Sequence, residues 1–141
     1  MFKTSIALLA ALLLTACAPL PGADPQSVRI EGTPGMSVIY LVRTNPDLSY
    51  VPAQIALDDR MLGVTHAGTY FRLEVPAGRH RISGSGVDGG TITFDTQPDR
   101  VYFIRQTVAG IGRSPTSLTS FYSLIDEARA RSAMAGASRA G

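Results

Sequence analysis

The chain has 141 residues, of which 45% are hydrophobic, and its formal net charge at pH 7 is +2. This length favours one domain with a single core, which buries roughly two-thirds of the surface of the unfolded chain. The 13 basic and 11 acidic side chains nearly balance, without the clustered basic patch that nucleic-acid binding usually requires. The composition therefore argues against nucleic acid as a partner.

The first sixteen residues are organised like a secretory signal peptide. Lys3 is the only basic residue before an apolar run at residues 6–14, and the small residues Thr15 and Ala16 follow that run. Its nine residues are well short of the roughly 20 that a transmembrane helix needs. We therefore expect residues 1–16 to be a signal peptide cleaved after Ala16, and not a retained membrane span.

The single cysteine of the chain, Cys17, comes directly after this segment. Leu14, Thr15, Ala16 and Cys17 resemble the lipobox of bacterial lipoproteins, with Leu three positions before the cysteine and a small residue directly before it. The resemblance implies diacylglycerol transfer to the Cys17 thiol, cleavage between Ala16 and Cys17, and acylation of the new amino terminus. The alternative is that Cys17 is a small hydrophobic residue that ends an ordinary signal peptide.

Residues 17–35 are expected to form a flexible tether between the lipid and a folded domain. Residues 18–35 contain four prolines and three glycines, a composition that cannot pack a core or hold a helix. Within them, residues 27–31 are at most an edge strand. Without residues 1–16, the chain has 125 residues with 12 arginines, no lysine and 11 acidic side chains, so its net charge is about +1.

From residue 36 onward the pattern is typical of strands. Residues 36–44 are apolar on both faces, as expected of a central buried strand. Residues 69–75 alternate, with Phe71, Leu73 and Val75 on one face. The other predicted strands, separated by turns rich in Gly, Pro and Asp, are residues 53–57, 61–64, 79–83, 91–95, 100–108 and 117–125.

This succession of short strands predicts an all-β fold, a single small antiparallel β-sandwich of about seven or eight strands over residues 36–125. A short C-terminal helix is expected over residues 126–134, with Asp126 placed to cap it. The last residues, 135–141, are small and polar, and we expect them to fray. Residues 126–141 thus form a helix and tail outside the sandwich.

The sequence does not predict a dinucleotide site, a metal site or a nucleophilic catalytic site. Gly84, Gly86 and Gly89 match G-x-G-x-x-G, but a threonine-rich strand follows them where a dinucleotide site needs a helix. His66 and His80 have no third metal ligand nearby in the sequence. Nucleophilic catalysis needs a base within reach of the nucleophile, and although serines are plentiful, none lies in a nucleophile-elbow motif. We therefore expect no metal, no cofactor and no enzymatic activity.

Two arginines end aromatic-aliphatic strands, Arg43 in VIYLVR and Arg105 in VYFIR. A guanidinium at the rim of a core strand usually pairs with a carboxylate, often Asp. The alternative is a small-ligand or anion site in which Arg43 and Arg105 converge near Tyr102. Asp58 and Asp59 lie between two apolar runs, and we expect them to form a turn before any acid/base pair.

Residues 36–108 resemble small bacterial lipoproteins that are catalogued as a domain of unknown function. That family shows a Y-x-x-R first strand, an acid-containing hairpin with a Gly in its second strand, a Tyr-Phe step, a Pro-Gly turn and a Y-Y-x-R strand. The matching positions are Tyr40, Arg43, Asp58, Gly63, Tyr70, Phe71, Pro76, Gly78, Tyr102 and Arg105. This chain departs from the pattern at Ala77, inserted in the turn, and at Phe103, the second aromatic position. The resemblance implies a small β-sandwich on a lipid tether and no established activity.

We therefore expect a non-catalytic, lipid-anchored accessory or protein-interaction module of the cell envelope. Its expected place is the periplasmic face of the outer membrane, because Ala18 follows Cys17 where lipoproteins retained in the inner membrane usually carry Asp. Its expected partners are the membrane, through the lipid, and envelope proteins. The alternatives are the small-ligand site, a catalytic cleft with His66 or His80 beside a nucleophile, and docking of residues 126–135 on a partner.

Overall fold

A computed structural model describes residues 24–84, 90–110 and 117–141. In these ranges the chain forms a short 3-10 helix, Pro25–Ser27, and one α-helix, α1, at Glu127–Met134. No helix in the described ranges is long and apolar enough to cross a membrane. The strands are β1 Ser37–Arg43, β2 Ala53–Leu57, β3 Arg60–Thr65, β4 Thr69–Val75, β5 Gly78–Gly84, β6 Thr91–Thr96, β7 Arg100–Gly110, β8 Leu118–Leu124 and β9 Ser138–Arg139.

The strands form two sheets, and the predicted all-β fold with a C-terminal helix is confirmed. The five-stranded sheet has the order β8-β7-β1-β4-β9, and the four-stranded sheet has the order β3-β2-β5-β6. β1 pairs antiparallel with β4 but parallel with β7, so the five-stranded sheet is mixed where a purely antiparallel sandwich was expected. The chain forms β2 to β6 between these two strands, and β7 then runs beside β1 in the same direction.

The two sheets pack face to face around a common core. Its buried members are Ile39, Leu41, Ile55, Phe71, Val75, Ile82, Phe94 and Ile104. On the other face of β1, Val38, Tyr40 and Val42 pack with Ala130 and Met134 of α1. β1 is therefore buried on both faces, as its sequence predicted, and the domain has three layers: helix, five-stranded sheet and four-stranded sheet.

The segment before β1 is packed on the domain, and the predicted tether over residues 17–35 is wrong from Asp24 onward. Val28 and Ile30 join the apolar cluster between α1 and the five-stranded sheet. The Val28 carbonyl accepts a hydrogen bond of 2.6 Å from Arg131 Nη1. Apart from the 3-10 helix at Pro25–Ser27, this segment has no regular structure, and two apolar side chains and hydrogen bonds from arginine side chains hold it in place without strand pairing.

The end of the chain is also ordered, so the predicted fraying of residues 135–141 is wrong. Gly136, after the last turn of α1, has φ +77°, the left-handed conformation that favours glycine beyond a helix C-terminus. The chain then returns to the edge of β4, where β9 pairs in parallel with Thr69 and Tyr70. An unpaired strand edge offers free N–H and C=O groups, and the tail takes them up.

The two sheets approach each other closely where Gly90, just before β6, meets Ser120 of β8. A Cβ atom at position 90 would lie 1.6 Å from the Ser120 carbonyl oxygen. We predict that Gly90→Ala lowers the free energy of unfolding by about 1–3 kcal/mol, because β6 would have to move away from β8. Urea denaturation measures the loss.

Gly32→Ala is the matched control for this substitution. A Cβ atom there would lie 3.6 Å from Val101 Cγ2, an ordinary contact, so its effect on the free energy of unfolding should stay within about 0.5 kcal/mol. Equal losses in the two variants would contradict the close approach at Gly90.

Candidate functional site

Arg43, the last residue of β1, is buried beside its counter-charge Asp47. Its Nε donates to Asp47 Oδ2 at 2.6 Å, and the two side chains are 0% and 1% exposed. Nη1 donates to the carbonyl oxygens of Val51 and Thr65, both at 3.0 Å, and Nη2 donates to that of Ser49. The expected pairing of a strand-end arginine with an aspartate is confirmed, and the protein itself occupies the guanidinium.

The alternative anion site, with Arg43 and Arg105 converging near Tyr102, does not form. In the parallel pair of β1 and β7, Arg105 lies opposite Val42, on the face that carries α1, and it is exposed. Arg43 lies opposite Gln106, on the inner face. Tyr102 is also on the inner face, where its hydroxyl accepts a backbone N–H at 2.8 Å. Neighbouring residues of a strand point to opposite faces, so the two guanidinium groups point to opposite sides of the sheet.

The turn between β2 and β3 brings Asp58 against His80 of β5. Asp58 and Asp59 have φ +49° and +65°, which confirms the predicted turn. Asp58 Oδ2 lies 2.7 Å from His80 Nδ1, and Asp58 Oδ1 accepts the N–H of Arg81 at 2.8 Å. Arg81 also pairs with Asp59. The sequence offered no sign of the contact with His80, because the two residues are 22 positions apart.

These contacts favour the protonated form of the His80 ring. Nε2 lies 2.6 Å from the Pro76 carbonyl oxygen, which can only accept. The Asp58 carboxylate also accepts, and imidazolium is the form of the ring in which both nitrogens donate. Burial lowers the pKa of His80, but its bonds to Asp58 and Pro76 outweigh burial and raise that pKa above 6.5. For Asp58, burial raises the pKa, but His80 and the Arg81 N–H outweigh it and lower that pKa below 3.8.

The contacts of His80 do not suit a general base. Both nitrogens of His80 are occupied, so no lone pair is available to accept a proton from a nucleophile. His66 lies in the exposed turn between β3 and β4. Among the residues that the structure describes, no group of three His, Cys, Asp or Glu side chains is arranged to hold a metal ion. The Asp58–His80 contact instead joins the β2–β3 hairpin to β5.

A second polar cluster, not anticipated from the sequence, lies inside the sandwich at Gln106, Ser120 and Tyr122. Gln106 and Ser120 are fully buried, and Gln106 Nε2 donates to Ser120 Oγ at 3.2 Å. Among the described residues, the Gln106 Oε1 and the Tyr122 hydroxyl have no hydrogen-bond partner of good geometry. Burial raises the pKa of Tyr122 to about 12, although Ser120 and Gln106 act in the opposite direction. The cluster is therefore neutral, and a Cβ atom at Gly84 would already be 2.6 Å from Ser120 Oγ, which leaves no room for a ligand on that side.

Several residues singled out in the sequence lie outside the described ranges. They are Ala16 and Cys17, the expected cleavage and lipidation positions, and Gly86 and Gly89 of the glycine loop. Gly84 ends β5, and that loop leads into β6, which pairs antiparallel with β5. A strand therefore follows the glycines, as the sequence predicted, and not the helix of a dinucleotide site.

Comparison with known proteins adds one distant relative. No family model matches the chain. A protein of Haemophilus influenzae, named as an uncharacterized protein, is 29% identical over 102 residues, which cover 68% of this chain. The chain spans 61% of the length of that relative. Because the name of the relative states no activity, the function has to be argued from the residues themselves.

The Asp58–His80 contact predicts a pH-dependent contribution to stability. His80 has a raised pKa, so its contribution is full below about pH 6.5 and is lost as the pH rises through the folded value. Asp58 has a lowered pKa, so its contribution is full above about pH 3.8 and is lost as the pH falls further. Arg81 is the other charged group beside this carboxylate, and it too lowers the pKa of Asp58. The pair therefore stabilises the domain most between these two values.

We predict that Asp58→Asn lowers the melting temperature more at pH 5.5 than at pH 8.5. The matched control is Asp59→Asn, in the same turn, whose carboxylate pairs with Arg81 and not with His80. Its effect should differ little between the two pH values. Thermal unfolding followed by circular dichroism gives both differences, and an Asp58→Asn effect that is the same at both pH values would contradict the charged pair.

Proposed function

We propose that the protein is a lipoprotein of the bacterial cell envelope, anchored through lipid on Cys17, and that its β-sandwich is a non-catalytic accessory or protein-interaction module. The observation that carries the proposal is the sequence Leu14-Thr15-Ala16-Cys17 directly after the apolar residues 6–14. A diacylglyceryl group on the thiol and an acyl chain on the new amino terminus supply the two or more chains that stable anchoring requires. Ala18, in place of Asp, supports the outer membrane over the inner membrane.

The non-catalytic role is supported by how the domain uses its charged side chains. The guanidinium of Arg43 donates hydrogen bonds to Asp47 and to backbone carbonyls, and both ring nitrogens of His80 are hydrogen-bonded, one to Asp58 and one to Pro76. These are the side chains that a reaction would draw on for charge stabilisation or proton transfer. Here they join one element of the fold to another.

The interaction role is supported by the loop between β1 and β2. Leu48 and Tyr50 in this loop are 75% and 64% exposed. Between and around them, the carbonyls of Ser49 and Val51 accept hydrogen bonds from Arg43. A loop held from inside presents exposed side chains without the entropy cost of ordering its backbone on binding. Tyrosine, the type of residue at position 50, is enriched at the centres of protein–protein contacts.

We likewise propose kinship with the small lipoproteins of unknown function whose sequence pattern the chain resembles. The support is that matching residues carry structural tasks in this fold. Tyr40 stacks on Phe103 with ring centroids 5.9 Å apart, Arg43 closes β1, and Asp58 turns the β2–β3 hairpin. Residues with structural roles of this kind define the architecture of the domain, and they specify no reaction.

The proposal predicts that Cys17→Ser abolishes membrane anchoring. Without a thiol there is no acceptor for diacylglycerol, so the protein should accumulate as an unprocessed precursor or appear in the soluble fraction. Fractionation of the envelope measures this, and mass spectrometry of the wild-type protein should show an acylated chain that begins at Cys17. Density separation of the membranes should place the wild-type protein with the outer membrane.

Thr15→Ser is the matched control, because it keeps a small residue in the segment and leaves the thiol in place. It should fractionate like the wild type. A Cys17→Ser protein that is processed and fractionates with the outer membrane like the wild type, or a wild-type chain that still carries residues 1–16 without lipid, would contradict the proposed function.

A further inference from the structure

We infer that the domain is held with its helical layer toward the bilayer that anchors it, and with the four-stranded sheet turned away. The helical layer is α1 together with residues 24–36. The partner surface is the phospholipid headgroup region of the same membrane. This inference rests on the proposed lipid anchor at Cys17 and adds an orientation and a reach to it.

Asp24, the first residue that the structure describes, lies on the helical layer. From there, residues 24–36 are attached along their whole length. The Glu31 carbonyl accepts from Arg72 Nε at 3.2 Å and from Arg72 Nη2 at 2.9 Å, and the Gly35 N–H donates to Asp99 Oδ1 at 2.6 Å. At the other end, Pro25–Ser27 lies beside the first turns of α1, across a groove lined by Glu127, Ala128, Arg131 and Ser132. The connection to the lipid therefore leaves from the side of α1.

The connection is short. Only residues 18–23 separate Cys17 from Asp24, and a fully extended chain spans about 3.3–3.6 Å per residue, so Asp24 stays within about 25 Å of the lipidated cysteine. The tether expected from composition, up to residue 35, would have allowed on the order of 65 Å. The contacts of residues 24–36 thus remove more than half of the expected reach.

This reach decides the orientation when it is compared with the thickness of the domain. A helix packs on a sheet at roughly 10 Å, and the second sheet lies about 10 Å beyond the first. When the side chains on the outer face of the four-stranded sheet are included, the outer surface of that sheet lies roughly 25 Å from Asp24. An inverted domain would need the connection fully extended, at a large cost in chain entropy, whereas the upright domain needs little of its length.

The chemistry of the helical layer suits a headgroup surface. The side chains of Arg29 and Arg129 are 88% and 75% exposed, and those of Glu31 and Asp126 are 63% and 62% exposed. The two pairs are loose, with N–O distances of 3.8 and 3.6 Å, so both signs of charge are available to phosphate and ammonium groups. None of the exposed large hydrophobic side chains of the described residues lies in 24–36 or 126–141. The layer should therefore touch the headgroups without insertion.

Energy transfer from introduced cysteines tests the orientation in the full lipidated protein, whose own thiol is consumed by the lipid. Ser132→Cys places a dye on α1, and Thr93→Cys places one on the outer face of the four-stranded sheet, since both positions are exposed. The acceptor is a headgroup-labelled lipid in phosphatidylethanolamine–phosphatidylglycerol vesicles. Transfer from position 132 should exceed that from position 93 by about twofold or more, because the two dyes are separated by roughly 20 Å of packed layers.

A third protein, with a flexible Gly-Ser insertion of about 20 residues between Ala23 and Asp24, tests whether the short connection is the cause. In it the two transfer efficiencies should approach each other. Equal or inverted efficiencies without the insertion, or an unchanged difference with it, would overturn the inference while leaving the anchor intact. A free Cys17 thiol, or a protein that stays off the vesicles, would instead contradict the proposed function and the orientation together.

Discussion

The guanidinium of Arg43 connects the two sheets of this domain from the inside. It stands at the end of the central strand β1 and reaches the loop that leaves the five-stranded sheet, together with the ends of β2 and β3 in the other sheet. Its counter-ion Asp47 accepts in turn from the Val108 N–H, at 3.2 Å from both carboxylate oxygens. The pairing of β1 with β7 ends at Arg43 and Gln106, so at Val108 the Asp47 carboxylate accepts the N–H that a strand partner would otherwise accept.

A fully buried ion pair is costly to desolvate, and it survives where hydrogen bonds satisfy the charges on every side. Here that requirement determines the conformation of the loop between β1 and β2. The loop between β1 and β2 must fold back so that its carbonyls meet Arg43, which leaves Leu48 and Tyr50 on the outside. Asp58 and His80 repeat the arrangement on a smaller scale at the β2–β3 turn. In both places the charged side chains join one element of the fold to another. This use of charge is consistent with the proposed non-catalytic module.

Features that depend on neighbours in the sequence were predictable, and features that depend on distant contacts were not. Alternation in residues 69–75, apolar continuity in 36–44 and the cap at Asp126 are local, and each predicted element formed. The convergence of Arg43 and Arg105 failed because it depended on the register of β1 and β7, where a shift of one residue reverses the face of a side chain. The order of residues 24–35 and 138–141 was missed because partners far away in the chain, such as Arg131 and Tyr70, supply their hydrogen bonds.

A double-mutant cycle on Arg43→Met and Asp47→Asn tests most directly whether this buried pair holds the fold together. Each single variant leaves one buried charge without its partner, and the free energy of unfolding should fall by about 3–5 kcal/mol. The double variant should lose clearly less than the sum, with a coupling of roughly 2 kcal/mol or more in urea denaturation. Losses that add to within about 0.5 kcal/mol would show that the two charges act independently, and would contradict the account.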